Sequence, residues 1–343
     1  MDVLSEVLKL VQLQGAMFYN GEFSAPWSLR SPPSRTIAPY LAPNAEHVII
    51  YHLLTEGRAS ARLEDGERDE RVALGAGEIV VFPHGDPHII ENGSPTRTVD
   101  MSQELAGIFC EGLKLSRVGS GGEVTRFVCG YMACEPRLSQ VFLSGLPPLF
   151  KVRIRDDASG GWLENTIRFS VNQADSAQAG GEAVLTRLSE ALFVETLRRY
   201  IATLPPEQTG WLAGARDSEV GKTLALMHRN PAHPWTLAAL AKEVRVSRSV
   251  LAERFRYYLN EPPIGYLTRW RLQLGGQMLS STSYSVAQIA AEVGYESEAA
   301  FNRAFKREFT IPPARFRSQL RSGSRQVVSG RKSSPAQKKY RAR

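Results

Sequence analysis

Cysteine is scarce in this chain. Cys110, Cys129 and Cys134 are the only three among 343 residues. So few cannot build a disulfide framework, and a reducing compartment is the expected setting. Long apolar runs are missing as well, so no stretch is expected to span a membrane. The opening MDVLSEVLKLVQLQG carries acids where a signal peptide would carry bases. A cytoplasmic location with no membrane partner is the expectation.

What is present is ordinary for a globular protein, 43% apolar and 22% charged, in a chain long enough for two domains. The net charge of +7 conceals a division. Residues 217–343 hold 22 Lys and Arg against 9 Asp and Glu, whereas residues 1–216 hold 20 against 26. The basic part suits phosphate binding. The acidic part is expected to do something other than grip nucleic acid.

The basic part contains one pattern written twice, about fifty positions apart. The first copy is TLAALAKEVRVSRSVLAERFRYYL, Thr236 to Leu259, and the second is SVAQIAAEVGYESEAAFNRAFKREF, Ser285 to Phe309. Ala241 aligns with Ala290, Val244 with Val293, Ser247 with Ser297, Leu251 with Phe301 and Phe255 with Phe305. Each copy reads as a short amphipathic helix, a three- or four-residue turn and a second helix capped by serine. Apolar positions bury one face of each pair, and the small Ala241 and Ala290 allow the helices to approach where they cross. The outward positions of the second helices are polar or small. They are Arg248, Ser249, Ala252, Glu253 and Arg256, then Glu298, Ala299, Asn302, Arg303 and Lys306. Such a helix can present its first two turns to base edges in a major groove.

This duplication resembles the AraC/XylS family of bacterial transcription regulators from about Asp217 to Arg317. The most specific stretch is GYESEAAFNRAFKREFTIPPARFR, with its glycine turn, serine cap, paired phenylalanines, Pro312-Pro313 and closing aromatic-Arg. The resemblance implies an all-α domain with two helix-turn-helix motifs, double-stranded promoter DNA as partner, contact with RNA polymerase, and a homodimer. Activation is the commoner behaviour in that family. Arg303 is the leading base reader, because a guanidinium can bridge guanine O6 and N7. Asn302 suits adenine, Glu298 and Glu253 suit cytosine, and Arg248, Arg256 and Lys306 are placed for phosphates. Between the copies, Pro262-Pro263 opens a helix of about 18 residues, long enough to hold the two motifs near one DNA turn apart. Arg245 stands at a turn position where the family has glycine, so that turn is expected to be strained or differently shaped. Gly275-Gly276 inside the connecting helix marks either close packing or a bend.

The acidic part opens with a short amphipathic helix, Asp2 to Leu13, and residues 15–110 then read as strands broken by turns. Examples are 47–54, 59–64, 78–83 and 87–92, a pattern that suits a β-barrel or sandwich. Gly77 to Asn92, GEIVVFPHGDPHIIEN, matches the second cupin motif, with glycine, Pro-x-Gly, histidine and asparagine in register. That resemblance implies a small jelly-roll barrel with His88 pointing inward, serving as a small-molecule sensor. The fold class expected for the whole chain is α+β: a cupin-like barrel with flanking helices over 1–204, a linker at 205–216, a DNA-binding domain over 217–320 and a basic, disordered tail at 321–343. Trp211 and Leu212 are expected to dock that linker.

Metal ligation is the point to weigh in the barrel. His47 and His52 lie five apart, on opposite faces of a strand, and no glutamate stands at the cupin spacing, so a three-ligand site is incomplete. His84, His88, Cys129 and Cys134 offer an alternative zinc set, against their being small buried groups. No metal and no cofactor is expected, and no catalytic residue is identified. His47, Tyr51 and His88 are the candidates for an effector pocket. The helix read over 181–204 carries a wide apolar stripe that either packs on its own barrel or self-associates. A metal-dependent cupin enzyme fused to a DNA-binding domain is the rival reading, and a barrel serving only dimerisation is a third.

Overall fold

The computed structural model describes residues 4–5, 7–8, 14–42, 45, 47–65, 71–94, 98–102, 113, 115–119, 121–134, 143, 145–173, 180–205 and 207–319. The chain forms two compact units, one of Val11–Ala213 and one of Gly214–Arg343 together with Met1–Leu10. The expected tail at 321–343 and most of the expected first helix lie outside the described residues; Leu4, Ser5, Val7 and Leu8 are helical.

Among the described residues of the first unit, eleven strands form two sheets. They are β1 (Gln14–Ser24), β2 (Trp27–Ser31), β3 (His47–Glu56), β4 (Arg58–Leu63), β5 (Val72–Gly75), β6 (Glu78–Phe82), β7 (His88–Asn92), β8 (Val99–Asp100), β9 (Leu115–Gly119), β10 (Val124–Cys134) and β11 (Phe150–Arg153). One sheet runs β11-β6-β3-β10-β1-β9 and the other β5-β4-β7-β2-β8. The four stretches read as strands are strands, within two residues at either end. The expected closed barrel is corrected: among the described residues no hydrogen-bonded ladder joins the two sheets. Closure would need the edges to pair, and the edge strands are short, β8 with two residues and β5 and β11 with four. Apolar faces hold the sheets together instead, through Phe23, Trp27, Leu54, Phe82, Ile90 and Phe127.

The cupin-like stretch carries the chain from one sheet to the other. β6 pairs with β3 and β11, while β7 pairs with β2 and β4. Gly85 turns the crossing at a φ of 70°. A Cβ there would strike the Ser34 hydroxyl, so only glycine fits.

Helices pack against both faces of the larger sheet. α1 (Ser34–Leu41) sets Ile37 and Ala38 against Val48 and Ile50 of β3. α2 (Ala158–Gln173) and α3 (Gly181–Thr203) pack on one another, and α3 lies against β1, β10 and β11. Neither α1 nor α2 stands out as a helix in the sequence. Leu185, Leu192, Phe193 and Leu197 of α3 are buried, so this much of the stripe packs within its own unit. β3 is consequently covered on both faces, which explains its run of eight buried residues from Val48 to Thr55.

The second unit is helical: α5 (Ser218–Arg229), α6 (Leu237–Glu243), α7 (Arg248–Leu259), α8 (Pro263–Ser281), α9 (Val286–Glu292) and α10 (Glu298–Phe309). Before it, α4 (Trp211–Arg216) lies within the expected linker, with Trp211 and Leu212 buried. Ser247 caps α7 and Ser297 caps α10 as read, and side-chain oxygens also cap α5 (Asp217), α6 (Thr236) and α9 (Ser285).

The two motifs reverse the chain by the same device. After α6 the Val246 N–H bonds back to the Ala241 carbonyl, and after α9 the Tyr295 N–H bonds to the Ala290 carbonyl. Both ends are Schellman turns, which need one residue in the left-handed region. Gly294 supplies it at a φ of 84°, and Arg245 adopts it at 61°. The Arg245 turn therefore keeps the shape a glycine would give and carries the strain of a side chain there. The repeat extends past the second helices. Asn260 and Thr310 are left-handed at φ 55° and 65°, and the N–H groups of Tyr266 and Phe316 bond to the carbonyls of Pro262 and Pro312. Gly275 of α8 lies where a Cβ would meet the Phe301 ring, so this glycine serves close packing.

Replacing Arg245 with glycine removes a left-handed side-chain penalty of roughly 1–2 kcal/mol and adds a glycine entropy cost of roughly 0.5–1 kcal/mol. Arg245→Gly is thus expected to stabilise this unit by about 0.5–1 kcal/mol. Gly294→Ala, whose Cβ would also meet the Ala232 backbone, is expected to destabilise it by more than about 1 kcal/mol. Urea unfolding midpoints of the two variants test both signs.

Candidate DNA interface and effector cleft

On the second helix of each motif the anchors and the outward residues separate cleanly. Leu251 and Phe255 of α7 and Phe301 and Phe305 of α10 are fully buried. Arg248, Ser249, Glu253, Arg256, Glu298, Ala299, Arg303 and Lys306 are exposed, and Ala252 and Asn302 are half-buried. The serine caps start both helices at the turn, so their first residues stand clear of the preceding helix.

Several basic residues are tied into the unit. Arg254 pairs with Asp217 and Glu219, and Arg269 pairs with Glu261. Arg271 donates to the carbonyls of Pro231 and His233, and Arg317 to those of Leu279 and Tyr284. Among the described residues no ion pair or side-chain hydrogen bond engages Arg248, Arg256, Arg303 or Lys306. Asn302 donates only a long bond, 3.5 Å, to Glu298. Four cations on the repeated second helices are thus left for an outside partner.

In the other unit a cleft opens between the sheets and encloses about 540 Å3 of space, part of it open to solvent. Phe18, Leu29, Pro32, Ile37, Ile90 and Phe127 supply most of its wall, with Tyr19, Ser31 and Met101. His52, His88 and Cys129 are its remaining lining. These three are joined in a row. Cys129 Sγ is 2.8 Å from His52 Nδ1, His52 Nε2 is 2.8 Å from His88 Nε2, and His88 Nδ1 is 2.9 Å from the Asp86 carbonyl. The carbonyl can only accept, which sets the direction of every bond. His88 donates from Nδ1 and accepts at Nε2; His52 donates from Nε2 and accepts at Nδ1; Cys129 donates its S–H. Phe82 stacks on the His88 ring at 3.6 Å.

Burial sets the charge state of this row. It holds His88 down to about 4, against a small opposing effect of the Asp86 carbonyl. It lowers His52 well below the usual imidazole value, with the neighbouring His88 adding to the effect, and it pushes the Cys129 thiol up. All three are neutral near pH 7.

The expected pocket residues separate. His88 lines the cleft. Tyr51 projects from the other face of β3, where its hydroxyl lies 2.5 Å from Ser189 of α3 and its ring occupies the space a Cβ on Gly130 would take. His47 donates to the Pro83 carbonyl. His52 and Cys129 were not picked out for the pocket. Their signal was present in part, since His52 is offset from His47 by an odd number and so shares the inner face with Leu54; the β3–β10 register that sets Cys129 opposite His52 is not legible locally.

The residues do not fit a cupin metal. His52 and His88 use both ring nitrogens in the row, and His84 donates to the Leu146 carbonyl instead. Cys129 is engaged by His52. Among the described residues no three His, Cys, Asp or Glu side chains gather where an ion could be held.

A two-sheet cupin fold joined to a duplicated helix-turn-helix defines a DNA-binding regulator with an attached cupin domain. Residues 2–202 match the Cupin family, and residues 240–319 match the Helix-turn-helix domain family. The HTH-type transcriptional regulator AlkR of Acinetobacter baylyi is 30% identical over 279 residues, 80% of this chain and 89% of that protein. The RCS-specific HTH-type transcriptional activator RclR of Escherichia coli is 29% identical over 322 residues, 94% and 99% of the two chains. A putative AraC-like transcription regulator of Streptomyces lividans is 29% identical over 321 residues, 92% and 98%. Among solved structures, an AraC-type DNA-binding domain protein from Chromobacterium violaceum matches 32% of this chain and 96% of its own at 31% identity, with a TM-score of 0.30. This chain belongs to the AraC-like, HTH-type transcriptional regulators with a cupin N-terminal domain. No helix among the described residues is long and apolar enough to cross a membrane.

Buried histidines make the fold sensitive to acid. His228 accepts or donates at 2.7 Å to the Tyr266 hydroxyl, stacks on Trp270, and is held by burial down to about 3. Between pH 6.5 and these folded values the unfolded chain binds more protons than the native one, so stability falls as pH drops. His88 and His228 are each expected to remove about 1.5 kcal/mol between pH 6.5 and 5. Calorimetry across that range tests this, and His228→Phe is expected to lose one histidine's share of the slope.

Proposed function

We propose that this regulator reads a specific promoter sequence by laying α7 and α10 in successive major grooves. The observation that carries the reading is the set of exposed, unpartnered cations repeated on these two helices, Arg248 and Arg303 within the first two turns after the serine caps and Arg256 and Lys306 in the last turns. α8 has 19 residues, about 28 Å of helix, close to the roughly 34 Å between grooves on one side of DNA. Arg303 reads guanine, with Asn302 at adenine and Glu298 or Glu253 at cytosine. Arg248, Arg256 and Lys306 hold phosphates. Ser249, Ala252 and Ala299 leave room for close approach to the bases. The α7 face has fewer long donors, so α10 carries the larger share of base reading.

The division of labour follows the charge: residues 1–204 sense, 217–320 bind DNA, and the cleft between the sheets takes a small-molecule effector whose binding alters DNA binding. Homodimerisation and contact with RNA polymerase are part of this reading, as is activation, which the relative named an activator supports.

Footprinting of the purified protein on its own upstream DNA across a salt series tests the reading. The wild type is expected to protect a defined site of about two helical turns. Arg303→Ala is expected to lose about 1–3 kcal/mol at one base pair while keeping salt-dependent background binding. Equal binding by both proteins with no preferred site would make the duplicated motif a phosphate clamp only.

A further inference from the structure

The wall of the cleft has an unusual polarity for its size. Among its described lining residues there is no Asp, Glu, Lys or Arg. Its titratable members, His52, His88 and Cys129, are bonded to one another and end on the Asp86 carbonyl. That row is closed: every ring nitrogen is used, and the one carbonyl at its end accepts from His88. A ligand entering here meets rings and aliphatic chains, with neither a countercharge nor an open imidazole nitrogen. An ionised group would leave water without compensation, whereas apolar surface would be covered on both sides. Phe82 stacked on His88 holds the row in place from behind, so opening it for a ligand would break contacts on two strands at once.

We propose that the cleft binds an uncharged, mainly apolar small molecule, recognised by shape and by burial of its surface. This rests on the reading of the N-terminal unit as a sensor, and it names the chemical class that the sensor takes. Discrimination arises from the absence of charge, so adding a charge to the wall should change what enters. Met101 suits that change, because it lines the cleft but is only half-buried, and a long cation there can reach solvent if no ligand is present.

The test uses the full chain and the neutral fluorophore N-phenyl-1-naphthylamine, displaced by three competitors with one tail: decanol, decanoate and decylammonium. Saturable dye binding is expected, with decanol displacing it at an at least tenfold lower concentration than either charged competitor. Met101→Lys is expected to raise the affinity for decanoate at least tenfold relative to decanol. Circular dichroism checks that the variant is folded, and Leu29→Lys, at a second half-buried wall position, repeats the measurement. Absence of saturable dye binding, equal displacement by a charged competitor, or no change in preference in either folded variant would overturn the proposal. Footprinting with and without decanol separates the two readings. If decanol binds selectively and the footprint never changes, the ligand class stands and the sensor reading fails. If a charged competitor binds best and shifts the footprint, the sensor reading stands and the ligand class fails.

Discussion

A helix-turn-helix requires the chain to reverse within a few residues without leaving the last carbonyls of the first helix unpaired. In this protein that constraint is met twice by a left-handed residue, Arg245 after α6 and Gly294 after α9. The reversal brings Val246 and Tyr295 back over their helices and places Ser247 and Ser297 where they can cap the next one. From there Leu251 with Phe255, and Phe301 with Phe305, bury themselves and turn the opposite face outward. The DNA-reading surface is thus a consequence of how each first helix ends. That an arginine accepts the left-handed conformation shows that the surrounding packing outweighs a penalty of roughly 1–2 kcal/mol.

The cupin unit solves a different problem. Two sheets that share no hydrogen-bonded ladder among the described residues must be held by their faces, and a face rich in aromatic side chains leaves a cleft where it does not close. Polar groups inside that cleft need partners of their own. His52, His88 and Cys129 find them in each other, which keeps three titratable groups neutral and makes the cleft chemically quiet. The same satisfaction takes up the ring nitrogens that a metal would need, and among the described residues no three ligands gather.

Arginine illustrates how local pattern and tertiary setting divide the work. The second unit is strongly basic, and its charge alone points to phosphate. Yet Arg254, Arg269, Arg271 and Arg317 are occupied by carboxylates or by loop carbonyls, and they brace the helices. Arg248, Arg256, Arg303 and Lys306 have no such partner among the described residues. Net charge therefore overstates the number of cations open to DNA, and only the fold sorts one group from the other.

Much of the DNA-binding unit was legible in the sequence because its determinants are local. Capping serines, small residues at a crossing, and phenylalanines four apart act within one or two turns of their own helix, and repetition made them conspicuous. Strands of the cupin unit within residues 15–110 were readable too, from runs broken by turn residues, whereas β9 and β11 were not read. The pairing of those strands was not, since register depends on contacts far apart in the chain. A barrel and a pair of facing sheets have the same strand pattern, and the difference lies in whether short edge strands meet. α1 and α2 escaped notice because their apolar faces are defined by what they pack on, β3 for α1 and α3 for α2. The cleft was read only at His88; Cys129 joins His52 through the pairing of β10 with β3, and Tyr51 turns to the helix side because α3 covers that face. Sequence alone determined the family, the two-part plan and the outward residues of the reading helices, all properties of neighbours along the chain. Tertiary structure decided which charges stay free, which histidines meet and what kind of surface the cleft offers, because each of those depends on groups that only folding brings within bonding distance.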